Sequence, residues 1–175
     1  MKFKIIAAIC KGNGIGKNGS LPWRIKEDLA FFSKLTKGNG NNAVIMGRKT
    51  WDSLKGKQLI KRDNLVLSNK ISSIDSISEN LIKVFSDIDA IIDFCIKKNY
   101  DEVWIIGGCL IYKEFIEKNI ADTCYITYID KEYECDTFFP QLTDNWKLDE
   151  TLPFPIETKH PMVLKKFINH NKDCH

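Results

Sequence analysis

A chain of 175 residues is long enough to bury one substantial core and too short to divide comfortably into two, so a single domain over 1–175 is expected. With 43% hydrophobic and 28% charged residues, the composition is that of an ordinary globular protein, not a disordered or membrane chain. The net charge of +3 comes from 26 basic and 23 acidic residues spread along the whole length. That leaves no basic stripe to track a phosphodiester backbone and argues against a nucleic-acid partner.

The opening segment MKFKIIAAICKGNG has a charged start, but its apolar run of about six residues is too short for a signal peptide or a membrane span. It reads as a buried strand from Ile5 to Cys10. The glycine-rich stretch GNGIGKNG, residues 12–19, follows directly. Gly14, Gly16 and Gly19 fit the G-x-G-x-x-G spacing only loosely, because no clear helix follows and Pro22 intervenes, so a surface loop is an equal alternative.

The next segment, LPWRIKEDLAFFSKLT (21–36), contains an acid in an unusual place. Wound as a helix from Arg24 to Thr36, it puts Ile25, Leu29, Phe32, Leu35 and Thr36 on one arc, with Asp28 inside that arc and Glu27 outside it. An unpaired buried carboxylate costs several kcal/mol or takes up a proton, so Asp28 there implies a partner.

Further apolar runs of strand length follow at AVIMG (43–47), LVLS (65–68) and near Val84, then a helix from Asp87 to Lys98, then EVWIIGG (102–108) leading into another helix. Such alternation predicts a mostly parallel central sheet with helices on its faces. Ser86 with Asp89 resembles a capping box for the 87–98 helix. In the last third, CYITYID (124–130) and MVLKKFI (162–168) read as strands with no helix between them, an antiparallel finish. KGNGNN (37–42), the segment around 69–80, and TLPFPIETKHP (151–161) read as loops.

Ligands of such sheets collect at the carboxyl ends of strands. In VIMGRKTW (44–51), Arg48, Lys49 and Thr50 at a helix start make a candidate phosphate cradle, with a solvated basic turn as the alternative. In IIGGCLIYKEF (105–115), Gly107 and Gly108 offer bare main chain to a ligand, or merely tight strand–helix packing. The six cysteines (Cys10, Cys95, Cys109, Cys124, Cys135, Cys174) form no C-x-x-C pair and suggest reduced core thiols in a cytosol-like compartment. His160, His170 and His175 all lie near the C-terminus, where Cys174 and His170 could in principle hold a metal, but no metal site is expected.

Taken in order, GIGKNGSLPW, helical Asp28 with Phe32 four residues on, VIMGRKTW, KRDNLVLS, WIIGG…Y, YIT and DTFFP resemble the dihydrofolate reductase family from Ile5 to about Pro140. The resemblance implies a three-layer fold: a mostly parallel mixed sheet with antiparallel C-terminal strands and helices on both faces. It implies NADPH-dependent reduction of 7,8-dihydrofolate to tetrahydrofolate. Asp28 would then accept two parallel donors from the pterin edge, steadied by the Thr127 hydroxyl. Leu21 and Trp23 would belong to a loop closing over the reacting centre, with a water beside Leu21 supplying the proton, and Asp136 would help to hold that loop.

By the same resemblance, Ile6, Ala7, Leu29, Phe32, Leu54, Ile106 and Tyr112 would wall the substrate, and Arg62 would pair the carboxylate of its glutamate tail. NADPH would lie along Ala8 and Gly14, Ile15, Gly16, Lys17, Asn18, Gly19 and Ser20. It would continue past Gly47, Arg48, Lys49 and Thr50, then Leu67, Ser68 and Asn69. The nicotinamide and pyrophosphate would meet Gly107, Gly108, Cys109, Leu110, Ile111 and Tyr112, across a cis Gly107–Gly108 peptide. Gln58 and Ile60 stand where the family often has prolines, and Leu110 or Asn69 where some members carry an arginine. Cytoplasmic, monomeric protein is expected, with fusion to thymidylate synthase open. A pyrimidine reductase of the riboflavin pathway would not need LPW plus Asp28, and a non-catalytic NADPH- or folate-binding module is the alternative from another class.

Overall fold

The computed structural model describes residues 1–69 and 82–171. In chain order the elements are β1 (Lys2–Cys10), a 3-10 turn (Lys11–Asn13), β2 (Gly14–Gly16), α1 (Lys26–Lys37), β3 (Asn42–Gly47), α2 (Arg48–Ser53), β4 (Asp63–Leu67), β5 (Ile82–Phe85), α3 (Ile88–Lys98), β6 (Glu102–Ile105), α4 (Cys109–Glu117), β7 (Thr123–Ile129), β8 (Thr137–Phe138), β9 (Trp146–Pro153) and β10 (Met162–Asn169). One eight-stranded sheet has the order β5, β4, β3, β6, β1, β7, β10, β9, and β2 pairs with β8 in a separate ribbon. The first six of these strands run parallel, whereas β10 is antiparallel to both β7 and β9. The expected mixed sheet with an antiparallel finish is therefore found.

Side chains of successive strand residues point to opposite faces, so an unbroken apolar run supplies two cores at once. Ile5, Ala7, Ile45, Val103 and Ile105 pack with Ile91 and Cys95 of α3 and Phe115 of α4. The alternate residues Ile6, Val44, Met46 and Trp104 pack with Trp51 of α2 and, more loosely, Phe32 and Leu35 of α1. Two helices thus cover each face, each fully buried aliphatic side chain contributing about 1.5–3 kcal/mol.

Several local expectations need correction. α1 starts at Lys26, not Arg24, because Trp23 and Ile25 are buried while Arg24 is exposed, a period of two that holds Ile25 extended. α3 is capped by Asp87, whose carboxylate accepts the Ala90 N–H at 2.8 Å; Ser86 supports Asp87 rather than forming a box with Asp89. The 151–161 loop begins later than expected, since Thr151–Pro153 extend β9. That strand lies at the sheet edge and exposes every residue but Trp146. It lacks the alternation that reveals a half-buried strand, and its proline is tolerated at an edge. Of the segment around 69–80, all but Asn69 lies outside the described residues, as do Cys174 and His175.

Candidate active site

β6 lies between β3 and β1, with Ile105 in register with both Ile45 and Ile5. The chain leaves β3 into α2 and β6 into α4, so two helix starts meet at one end of three adjacent strands. The Ile106 N–H donates to Ile45 O at 2.9 Å and the Gly47 N–H to Gly107 O at 2.8 Å. Gly107–Gly108 is a cis peptide, and Gly107 has φ +110° with the Tyr112 ring 3.1 Å from where a Cβ would stand. Only glycine fits at 107. A Cβ on Gly108 would meet only the Thr50 hydroxyl, at 3.5 Å, so the main chain there is bare and approachable.

Asp28, in the first turn of α1, is only 7% exposed. Burial pushes its carboxyl above the usual carboxylate range, and a hydrogen bond from the Thr127 hydroxyl pulls it back down. Among the described residues no cation lies within ion-pairing distance of it. Thr127 sits on β7 directly beside Ala8 of β1 and is itself buried. Tyr112 is buried as well and donates its hydroxyl to Ile6 O at 2.8 Å. Its own burial first, and the Asp28 charge among smaller causes, keep that phenol protonated.

The arc proposed for α1 is only partly covered by the described chain. Ile25 and Thr36 are buried, but Phe32 and Leu35 are half-buried and Leu29 is 47% exposed. Glu27 is half-buried rather than exposed. Ile6 and Ala7 are buried, and Ala8, Leu54 and Ile106 are half-buried around the same strand ends.

Arg62 is 6% exposed. Its Nε donates to Ile60 O at 3.1 Å, Nη1 donates to Thr36 Oγ1 at 2.7 Å, and the guanidinium lies 6.0 Å over the Phe32 ring. Burial lowers its pKa, and no carboxylate among the described residues pairs with it. Two of five guanidinium donors are thus used, leaving a fork for an anion. The loop lacking the family prolines is braced by Asn64, whose amide accepts the Leu59 N–H at 3.0 Å and donates to Leu59 O at 3.0 Å and Arg62 O at 2.9 Å. Sequence reasoning missed Asn64; its place next to the arginine-bearing loop was the available signal, since Asn readily bonds nearby backbone.

The glycine-rich stretch is held from the far side of the chain. The Asp136 carboxylate accepts the Asn18 N–H at 2.8 Å, the Asp136 N–H donates to Gly16 O at 3.0 Å, and Lys17 pairs with Glu134 at 2.9 Å. The Asn18 N–H, then the Thr137 hydroxyl, hold Asp136 below the usual carboxylate range. Leu21 is 47% exposed; Trp23 is buried against Tyr133, ring centroids 5.2 Å apart, with no acceptor for its Nε1–H among the described residues. Ile15 is half-buried, Gly14 and Gly16 are buried, and Asn18, Gly19 and Ser20 are exposed.

The cation cradle is weaker than its sequence suggests. α2 has only six residues, so its dipole is short, and Arg48 lies 3.6 Å from Asp52. Lys49 is exposed and Thr50 half-buried. Beside them, Ser68 is buried with its N–H on Phe85 O at 2.9 Å, while Leu67 is half-buried and Asn69 exposed. At the other helix start, Cys109 is half-buried, Ile111 buried and Leu110 75% exposed. A bare glycine pair, two cations and a hydroxyl nevertheless suit a phosphorylated dinucleotide. No group of three or more His, Cys, Asp or Glu among the described residues is placed to hold a metal.

Residues 2–171 match the family model for dihydrofolate reductase. The chain is 39% identical over 152 residues to the dihydrofolate reductase of Heliothis virescens, covering 81% of this chain and 80% of that one. It is 35% identical over 175 residues to the bifunctional dihydrofolate reductase-thymidylate synthase of Daucus carota, covering 94% of this chain and 32% of that protein. In structure it resembles the dihydrofolate reductase from Enterococcus faecalis complexed with NADP(H) and RAB-propyl, with TM-score 0.82, 26% identity and 97% of each chain covered.

Proposed function

The chain belongs to the dihydrofolate reductase family, and on that premise we infer that it reduces 7,8-dihydrofolate to 5,6,7,8-tetrahydrofolate with NADPH. The observation that carries the reading is a buried carboxylate, Asp28, with no cation in ion-pairing distance among the described residues and with the Thr127 hydroxyl opposing the effect of its burial. A pterin edge offers two parallel N–H donors, and a carboxylate accepts both in charge-assisted bonds.

NADPH, when bound, supplies the hydride. The protein's own work is placement and exclusion of water. Ile6, Ala7, Leu29, Phe32, Leu54 and Ile106 form the apolar slot, and Tyr112 fixes the middle of β1 through the Ile6 carbonyl. Asp28 orients the ring and favours its protonated form, Thr127 orients Asp28, and water beside Leu21 delivers the proton to N5. The Trp23 N–H, without an acceptor among the described residues, donates to the water or ligand beside it. Arg62 turns its remaining donors to the glutamate-tail carboxylate. Gly107 and Gly108, with Thr50, Arg48 and Lys49, take the pyrophosphate and 2′-phosphate, while the Gly14 to Ser20 loop and Ala8 cover the nicotinamide half. The reductase unit acts as a single domain and as a cytoplasmic monomer.

The test is an initial-rate assay of NADPH oxidation with and without dihydrofolate, the product identified by mass. Dihydrofolate-dependent oxidation yielding tetrahydrofolate supports the reading. Oxidation driven instead by a ribosylamino-pyrimidine, or binding without turnover, contradicts it.

A further inference from the structure

Cys10 ends β1, wholly buried, and Cys135 lies half-buried in the segment that enters β8. Their Sγ atoms stand 3.7 Å apart. The space they share exists because residue 14 is glycine: a Cβ there would overlap Cys135 Sγ and lie 2.9 Å from Cys10 Sγ. Cys10 packs with Trp23, Ile25, Ile129 and Met162, and Cys135 adjoins the same cluster. The next residue, Asp136, holds the Asn18 N–H and Gly16 carbonyl. The thiol pair therefore lies where the glycine-rich loop, Trp23 and the Asp136 segment meet.

We propose that Cys10 and Cys135 are a redox modification site, joined by small disulfides such as oxidised glutathione into an internal disulfide that locks the Asp136 segment onto the 14–20 loop. Cys135, the more accessible thiol, loses its proton and attacks one glutathione sulfur, expelling a glutathione thiolate. Cys10 then gives up its proton and attacks Cys135 Sγ of the mixed disulfide, expelling the second thiolate. Two electrons and two protons pass from the protein to glutathione.

Closing 3.7 Å to an S–S bond of about 2.05 Å requires movement. Cys10 is held in β1 opposite Ile129 of the parallel β7 and is wholly buried, whereas Cys135 lies outside the strands, so the movement falls on Cys135 and its neighbour Asp136. Burial, and then the Cys10 thiol, hold the Cys135 thiol above its usual pKa, so exchange is faster under mildly alkaline conditions. In reducing compartments such disulfides are transient and regulatory rather than structural.

The test incubates the full chain with oxidised glutathione, maps peptides by mass, and follows amide hydrogen exchange over residues 14–20. The expected result is a peptide linking Cys10 to Cys135, two fewer free thiols, slower exchange in the loop, and reversal by dithiothreitol. Cys135→Ser should show neither the linked peptide nor the slowed exchange. Glutathione retained on Cys135 without the linkage, or a linkage that leaves exchange unchanged, would overturn the proposal. Turnover, which rests on the enzymatic reading above, should fall several-fold on oxidation in the wild type only. The mass and exchange readouts do not depend on that reading, so the two can fail separately.

Discussion

The hydroxyl of Thr127 on β7 acts as a donor on the carboxyl of Asp28 on α1 and lowers its pKa, coupling two elements that are distant in sequence. It partly offsets a burial that raises the pKa of Asp28. Thr127→Val removes the donor at nearly constant volume, so the Asp28 pKa rises further. The acid limb of the pH profile of kcat/KM should move to higher pH, with turnover near the alkaline plateau changed much less. A profile that superimposes on the wild type would show that the hydroxyl does not act through Asp28.

Asp28 should also cost stability, with a definite sign. Its folded pKa is raised, so the folded state binds more protons than the unfolded state above the ordinary carboxylate value of about 3.9. The penalty is absent below that value, grows as pH rises through the raised pKa, and is complete above it. Asp28→Asn should therefore melt higher than the wild type at neutral pH, by roughly 2–4 °C per kcal/mol relieved. The gap should close on acidification. A lower melting point at neutral pH would mean that the carboxylate stabilises the fold.

Arg62 is buried without a carboxylate partner among the described residues. Arg62→Leu should weaken dihydrofolate binding by about 3 kcal/mol, roughly a hundredfold, through loss of charge-assisted bonds. NADPH affinity should be unchanged, and ligands lacking the glutamate tail should bind as before. Calorimetric titration of the three ligands decides; equal losses for all would place Arg62 outside the tail site.

Trp23 buries an indole N–H with no acceptor among the described residues, which costs about 1–3 kcal/mol if nothing fills the need. Trp23→Phe keeps an aromatic partner for Tyr133 and removes the orphan donor. Its melting point should stay close to the wild type while kcat falls about tenfold. Unaltered kcat would mean that the N–H serves neither water nor substrate.

The parallel part of the fold was legible because buried strands are continuous apolar runs and their helices keep a clean period, as at Ile88, Ile91 and Cys95. β9 was hidden because an exposed edge strand has no apolar face to alternate. The start of α1 was misplaced because Trp23 and Ile25 bury through an extended segment, which helical spacing alone does not reveal. In the site, Asp28 stood out as a carboxylate on an apolar arc, and the paired glycines as a gap before a helix. The Asn64 brace is local, since its amide bonds Leu59 and Arg62, whereas the contact of Cys10 with Cys135 depends on segments far apart in sequence brought together by the fold, which no local pattern announces.

The central claim is that Asp28 is kept dry and anionic for a ligand. It is tested most directly by steady-state turnover of Asp28→Asn at neutral pH, in protein whose melting profile shows it to be folded. The account predicts a loss of roughly a hundredfold or more in dihydrofolate-dependent NADPH oxidation, with NADPH binding preserved. Turnover within a few-fold of the wild type in folded protein would contradict it.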